Sequence, residues 1–164
     1  MKILCLTQIK HLEGIYEHLE SFGLVDYHPD LDKQSVRGLI DSFDYDVIFC
    51  NPNKQRYVLD NYVLTKFSGT ILTASTGLNH IDMNYCNEKG IKVLSHKEDM
   101  TLLNQLPSTS ELAFGLMSSI VRNIPSGFDD VKNGGWDYDK FMGHQLRGKS
   151  VGIIGLGRLG TMMY

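Results

Sequence analysis

Along the first hundred positions, short apolar runs alternate with stretches whose apolar residues recur every three or four places. Positions 3–6, 24–27, 46–50, 70–75 and 91–95 have the length and β-branched content of buried strands. Between them, 14–22 puts Ile15, Leu19 and Phe22 on one helical face and stops at Gly23. A second helix, capped by Asp32 or Ser35, turns Val36, Leu39 and Ile40 inward. Segment 57–67 carries Val58, Tyr62, Val63 and Phe67 at helical spacing and closes at Gly69; Asp82 caps a further helix over 83–89 that ends at Gly90. Strands alternating with helices predict an α/β fold: a doubly wound parallel sheet with helices on both faces and ligands beyond the carboxyl ends of the strands. The loops at 51–55, 75–80 and 95–107 then share one rim.

Beyond residue 95 the pattern changes. Positions 96–107 read as a long polar loop, a length that points to function or mobility. Ser108-Thr109-Ser110-Glu111 fits a capping box ahead of a helix over 112–122, which is apolar nearly all round and needs cover on more than one side. Pro125 opens a more polar segment, Gly134-Gly135-Trp136 breaks it, and 137–149 reads as a crossover into a last strand at 150–154. Gly155, Gly157 and Gly160 follow at once and fit G-x-G-x-x-G. The first suits a tight turn, the second lets backbone approach a pyrophosphate, and the third lets a helix lie close on the strand. The N–H groups of Arg158 and Leu159 then face phosphates from a helix start. The carboxylate that grips the adenosine ribose is expected about 20 residues further on, past Tyr164, so the dinucleotide unit is incomplete.

Bulk properties remove several function classes. With 164 residues the chain is too short for two complete α/β domains, and a net charge of −3 offers no surface for nucleic acid or anionic membrane. Cys5, Cys50 and Cys86 are odd in number and lack C-x-x-C spacing, which points to a reducing compartment. Met1-Lys2 leads straight into the first strand with no signal or spanning segment, so the cytoplasm is the expected location. No His or Cys stands at ligand spacing from Asp129-Asp130, which reads as a solvated face rather than a metal site. Cys50 reads as a small buried hydrophobe, Trp136 and Tyr138 as linker anchors.

The strings 73–82 (T-A-S-T-G-L-N-H-I-D), 90–93, Ser108-x-x-Glu111, Gly134-Gly-Trp136, 140–143, Leu146-x-Gly-Lys149 and 152–160 recur in this order in D-isomer-specific 2-hydroxyacid dehydrogenases. The chain resembles that family over 3–160, and within it the phosphoglycerate dehydrogenase branch. The resemblance implies a flavodoxin-like substrate domain at 1–106. At 107–164 it implies an interdomain helix, a crossover and the first βα unit of an incomplete Rossmann domain. The implied activity is hydride transfer between NAD and the CH–OH group of a small D-2-hydroxy acid, with NADP equally compatible. Asn51, Ser75, Thr76 and Gly77 are implied on the substrate, Thr76 also on the nicotinamide end, and Gly155, Gly157, Arg158, Leu159 and Gly160 on the pyrophosphate. A homodimer through the 108–123 helix and the C-terminal segment is implied as well.

Two departures bear on substrate. Where the branch has arginines this chain has Cys50 and Thr73, which removes bidentate phosphate recognition and argues against phosphoglycerate. The family's catalytic arginine, glutamate and histidine fall past Tyr164, so no catalytic residue is assigned and the chain alone is expected to be inactive. His80 reads as fixing a loop by a hydrogen bond. The alternative is a non-catalytic flavodoxin-like binding or dimerisation module.

Overall fold

A computed structural model describes residues 1–164, which fall into two compact units, Met1–Met100 and Thr101–Tyr164. In the first, five short strands form one sheet: β1 (Lys2–Cys5), β2 (Leu24–Tyr27), β3 (Val47–Cys50), β4 (Thr70–Thr73) and β5 (Lys92–Ser95). All pairings are parallel, in the order β2-β1-β3-β4-β5. Parallel neighbours need crossovers, and helices α1 (Ile15–Glu20), α2 (Lys33–Ser42) and α3 (Met83–Lys89) lie in three of them.

The register builds the core. Leu4 pairs with Ile48 and Ile48 with Ile71, a row of wholly buried side chains. Against it pack Val36 and Ile40 of α2, Cys86 of α3, and Val63, Leu64 and Phe67 of the β3–β4 connection. Each large aliphatic side chain so buried contributes about 1.5–3 kcal/mol. Both expected caps are present: Asp32 Oδ1 accepts from the Ser35 N–H (2.8 Å) and Asp82 Oδ1 from the Tyr85 N–H (3.0 Å). The opposite face is thinner. There Phe49, Leu72 and Leu94 stand in register, and Leu94 is 43% exposed.

Several predicted elements differ. Segment 57–67 is not a helix: Leu59 bridges Ile81 as an isolated parallel pair, and short turns then bury Val63, Leu64 and Phe67. Its apolar spacing records burial, not helical hydrogen bonding. Helix α1 is short and buries none of its residues; Ile15 and Phe22 face outward, and Tyr16 meets Tyr27 edge-on with centroids 5.5 Å apart. The 96–107 loop contains a 3₁₀ turn at His96–Glu98 and a one-turn helix α4 (Met100–Leu103).

The second unit holds α5 (Ser108–Val121), α6 (Ile124–Lys132) and α7 (Arg158–Met163). The capping box does not form, because Pro107 occupies the cap with helical dihedrals and Ser108 is already inside α5. The Ser110 hydroxyl instead donates to the Leu159 carbonyl at 3.0 Å. Positions 150–154 are not a strand. A parallel strand exists only through a neighbour's ladder, and here Ile154 is left fully exposed and Val151 more than half so. Trp136 and Tyr138, 83% and 76% exposed, line a hollow with Val131 and Phe141 in the second unit. Asp130 is half-buried rather than solvated, its Oδ2 buried without a partner. No helix is long and apolar enough to cross a membrane.

The junction of β3 and β4 depends on Gly69. A Cβ there would overlap the Asp46 carbonyl oxygen, which accepts the Thr70 N–H at 2.9 Å. Gly69→Ala is expected to lower stability by about 1–3 kcal/mol through this overlap. Gly38→Ala, in the open interior of α2, is expected to raise it by about 0.5–1 kcal/mol. Urea unfolding midpoints read both, and equal midpoints for the two variants would contradict the assignment.

Candidate functional site

The pairing of Cys50 with Thr73 brings the carboxyl ends of β3 and β4 side by side. Asn51 leaves one strand and Ala74-Ser75-Thr76-Gly77 the other. In an extended strand alternate residues share a face, so Thr73 and Ser75 stand together, their hydroxyl oxygens 2.8 Å apart. The chain then turns back through Leu78 to His80, whose Nε2 lies 3.1 Å from Thr73 Oγ1. The main chain of His80 is held by the Leu59 bridge, its carbonyl accepting the Leu59 N–H at 2.9 Å. Asn51 Oδ1 lies 3.5 Å from Thr73 Oγ1.

Thr73 is thus the centre of the cluster, in contact with Asn51, Ser75 and His80. In the sequence Thr73 stands out only as a replaced arginine. Its place two residues before Ser75 and seven before a rim histidine is the signal that points to this second role. Ser75 is half-buried and donates from Oγ to the Gly77 carbonyl at 2.8 Å, while Thr76 and Gly77 are exposed. The N–H groups of Ser75, Thr76 and Gly77 donate to no acceptor within the chain. Three successive unused donors at a strand end are groups of the kind that can bind an anion.

The side chains hydrogen-bonded in this cluster are uncharged. Burial pushes the His80 imidazole below its ordinary pKa, so the ring is held neutral. Burial, with the neighbouring Cys5 and Cys86 adding to it, raises the Cys50 thiol to about 12, which makes it a core residue and not a nucleophile. Lys54, on the same loop as Asn51, pairs with Asp30 at 3.3 Å. Along β3, β4 and β5, Phe49, Leu72, Thr73, Ala74, Leu94, Ser95 and His96 line a hollow of about 290 Å³, room for a small ligand. No group of His, Cys, Asp and Glu side chains has the arrangement of a metal site.

The second cluster lies in the other unit, on the turn into α7. Gly155 adopts φ +94°, which favours glycine. A Cβ on Gly157 would meet nothing, whereas one on Gly160 would overlap the Gly155 carbonyl oxygen. The three glycines therefore serve a tight turn, an open backbone face and a close approach, as a pyrophosphate-binding loop requires. Arg158 and Leu159 are not interchangeable here: the Arg158 guanidinium donates to the carbonyls of Leu103 (2.7 Å) and Leu106 (3.1 Å), fastening α7 to the end of α4. Its side chain is a structural clamp, and only its N–H and that of Leu159, which lack helical acceptors, are left for a ligand. Asn51, Ser75, Thr76 and Gly77 thus gather in the first unit and Gly155, Gly157, Arg158, Leu159 and Gly160 in the second.

Comparison with known proteins matches two successive parts of the chain. Residues 4–101 match the family model for the catalytic domain of D-isomer specific 2-hydroxyacid dehydrogenases, and residues 114–164 match the NAD binding domain of the same family. D-3-phosphoglycerate dehydrogenase of Methanocaldococcus jannaschii is 34% identical over 163 residues, 99% of this chain and 29% of the relative. Hydroxypyruvate reductase of Thermotoga maritima is 33% identical over 155 residues, 94% of this chain and 44% of the relative. The chain therefore spans less than half the length of either. Among solved structures, a glyoxylate reductase from Paecilomyes thermophila superposes with a TM-score of 0.77 at 22% identity, covering 99% of this chain and 51% of the other. The NAD-dependent formate dehydrogenase from Staphylococcus aureus in complex with NAD gives 0.77 at 23% identity, covering 99% and 52%. With the catalytic-domain match running through most of its length, the chain belongs to the D-isomer specific 2-hydroxyacid dehydrogenase family.

Proposed function

We propose that this chain supplies the substrate-carboxylate turn and the opening of the dinucleotide-binding unit of an NAD-dependent oxidoreductase acting on the CH–OH group of a small D-2-hydroxy acid. The observation that carries the reading is the run of three undonated N–H groups at Ser75, Thr76 and Gly77, at the carboxyl end of a central parallel strand. Such donors hold a carboxylate without needing to reorganise. Residues 1–106 act as the substrate domain, and 107–164 as the interdomain helix, crossover and start of the nucleotide domain. The glycines at 155, 157 and 160 and the N–H groups of Arg158 and Leu159 would hold the pyrophosphate, on NAD or NADP alike. When bound, the nicotinamide supplies the hydride acceptor or donor.

The substrate end favours an unphosphorylated acid. Two hydroxyls, an amide and a neutral imidazole surround the turn, with the buried Cys50 and Thr73 where a phosphate-binding arginine would have to stand. These groups suit one carboxylate charge and give no fork for a phosphate dianion. His80 is 6% exposed and tied to Thr73, so it is not placed to exchange a proton with a substrate hydroxyl. No acid/base of the reaction is accordingly assigned within this chain.

The apolar face of α5 supports a homodimer. Leu112, Leu116 and Ile120, spaced four residues apart on one side of this helix, are each more than half exposed, and an apolar stripe of that kind marks an interface. A second copy meeting it through the 108–123 helix and the C-terminal segment makes an isologous contact.

Glycolate titrated into the ¹⁵N-labelled chain is expected to shift the amide signals of Ser75, Thr76 and Gly77 before any others, with 3-phosphoglycerate binding no more tightly and neither acid being turned over with NAD. Unmoved amides at 75–77, or a preference for the phosphorylated acid, would contradict the reading. Light scattering is expected to give twice the monomer mass, and Leu116→Glu with Ile120→Glu to give the monomer; a wild-type monomer at high concentration would rule the dimer out.

A further inference from the structure

We infer that His80 is a positioning residue, held as the neutral Nε2–H tautomer, which starts a one-way chain of hydrogen bonds through Thr73 and Ser75 to the Gly77 carbonyl and so sets the shape of the anion-binding turn. The role in ligand binding rests on the function proposed for that turn; the direction of the hydrogen bonds does not.

The direction follows from counting protons. A carbonyl can only accept, so the 2.8 Å contact between Ser75 Oγ and the Gly77 oxygen uses the single Ser75 proton. Thr73 Oγ1 lies equally close to Ser75 Oγ, at 2.8 Å. With the Ser75 proton already committed, that contact requires Thr73 as donor. Thr73 then has no proton left, and the 3.1 Å contact with His80 Nε2 requires the imidazole to donate. The competing acceptor for the Thr73 proton, Asn51 Oδ1, stands at 3.5 Å, well beyond the ordinary hydroxyl range, and loses to the 2.8 Å contact.

A second observation, independent of that count, leads to the same tautomer. His80 Nδ1 is buried and has no hydrogen-bond partner. A neutral ring carries one proton. Placed on Nδ1, it would be a buried donor with no acceptor and would leave two lone-pair-bearing atoms competing for the Thr73 proton. Placed on Nε2, it completes the chain, and the unpaired site is a lone pair, the less costly kind of orphan. Burial, which disfavours the imidazolium, keeps the ring in this neutral state.

The consequence is mechanical. Thr73 ends β4, Gly77 is the apex, and His80 is where the chain rejoins the Leu59 bridge. One continuous run of hydrogen bonds thus ties the start, middle and end of the turn from its inner side. The N–H groups of residues 75–77 are not used in it. Preorganised donors of this kind bind an anion without a further ordering cost.

The test is a long-range ¹H–¹⁵N correlation of the imidazole nitrogens in the full 164-residue chain at neutral pH, without ligand. His80 is expected to show a protonated Nε2 and a bare Nδ1. Thr73→Ser is expected to preserve that pattern, whereas Thr73→Val, which removes the acceptor of the ring proton, and Ser75→Ala, which releases the Thr73 proton toward the ring, are each expected to add a fraction of Nδ1–H. A role in packing alone would leave the tautomer unchanged in all three. An Nδ1–H tautomer or a charged ring in the unsubstituted chain would overturn the inference, as would an unaltered Nε2–H pattern in folded Ser75→Ala. The glycolate response of the 75–77 amides is read separately, and it is expected to fall at least severalfold in Ser75→Ala. An undiminished response would overturn the positioning role. No response in the unsubstituted chain would overturn the site reading while the tautomer stands.

Discussion

The parallel pairing of β3 with β4 is the constraint from which the rest of the first unit follows. It puts Cys50 beside Thr73, so the two strands end level and release Asn51 and Ala74 at the same height, with Ser75 one residue beyond. It also requires the close passage of Gly69 under the Asp46 carbonyl, which starts the ladder in this register. A slip of β4 by one residue would send Ile71 to the thin face and Leu72 into the core. Thr73 would then turn away from His80 and the hydroxyl chain would have no beginning. Core packing and site geometry are therefore two results of one register.

Much of this architecture is legible in the amino-acid sequence itself. The five strands are marked by apolar runs, and α2 and α3 by local chemistry that acts within a few residues: the Asp32 and Asp82 caps and the αL Gly90. Where the sequence misleads, the deciding partner is distant. Residues 57–67 have helical periodicity because Val63, Leu64 and Phe67 are buried on one side, but Leu59 is drawn into a bridge with Ile81 instead. Residues 150–154 have the composition of a buried strand, yet a strand is a relation between two segments, and no second one pairs with it. The capping box at Ser108 is displaced by its neighbour, since Pro107 is pre-set for helix and starts α5 one position early. The role of Arg158 as a side-chain clamp on Leu103 and Leu106 is invisible in the glycine motif, which speaks only of backbone.

Under the proposed function, the two units answer two halves of one chemical problem with the same device. In each, backbone N–H groups are left without acceptors because small residues and side-chain hydrogen bonds hold the turn from behind. Ser75 and Thr73 do this in the first unit. Gly155, Gly160 and the Arg158 clamp do it in the second. Fixed amides need no charged side chain to attract a carboxylate or a pyrophosphate, and this accounts for how few charges the proposed substrate turn contains.

The most direct measurement is a crystal structure of the chain grown with D-lactate. The account predicts a lactate carboxylate oxygen at about 2.9 Å from at least two of the N–H groups of Ser75, Thr76 and Gly77. D-lactate seated elsewhere on the first unit, or those N–H groups turned inward to carbonyls of their own chain, would contradict it.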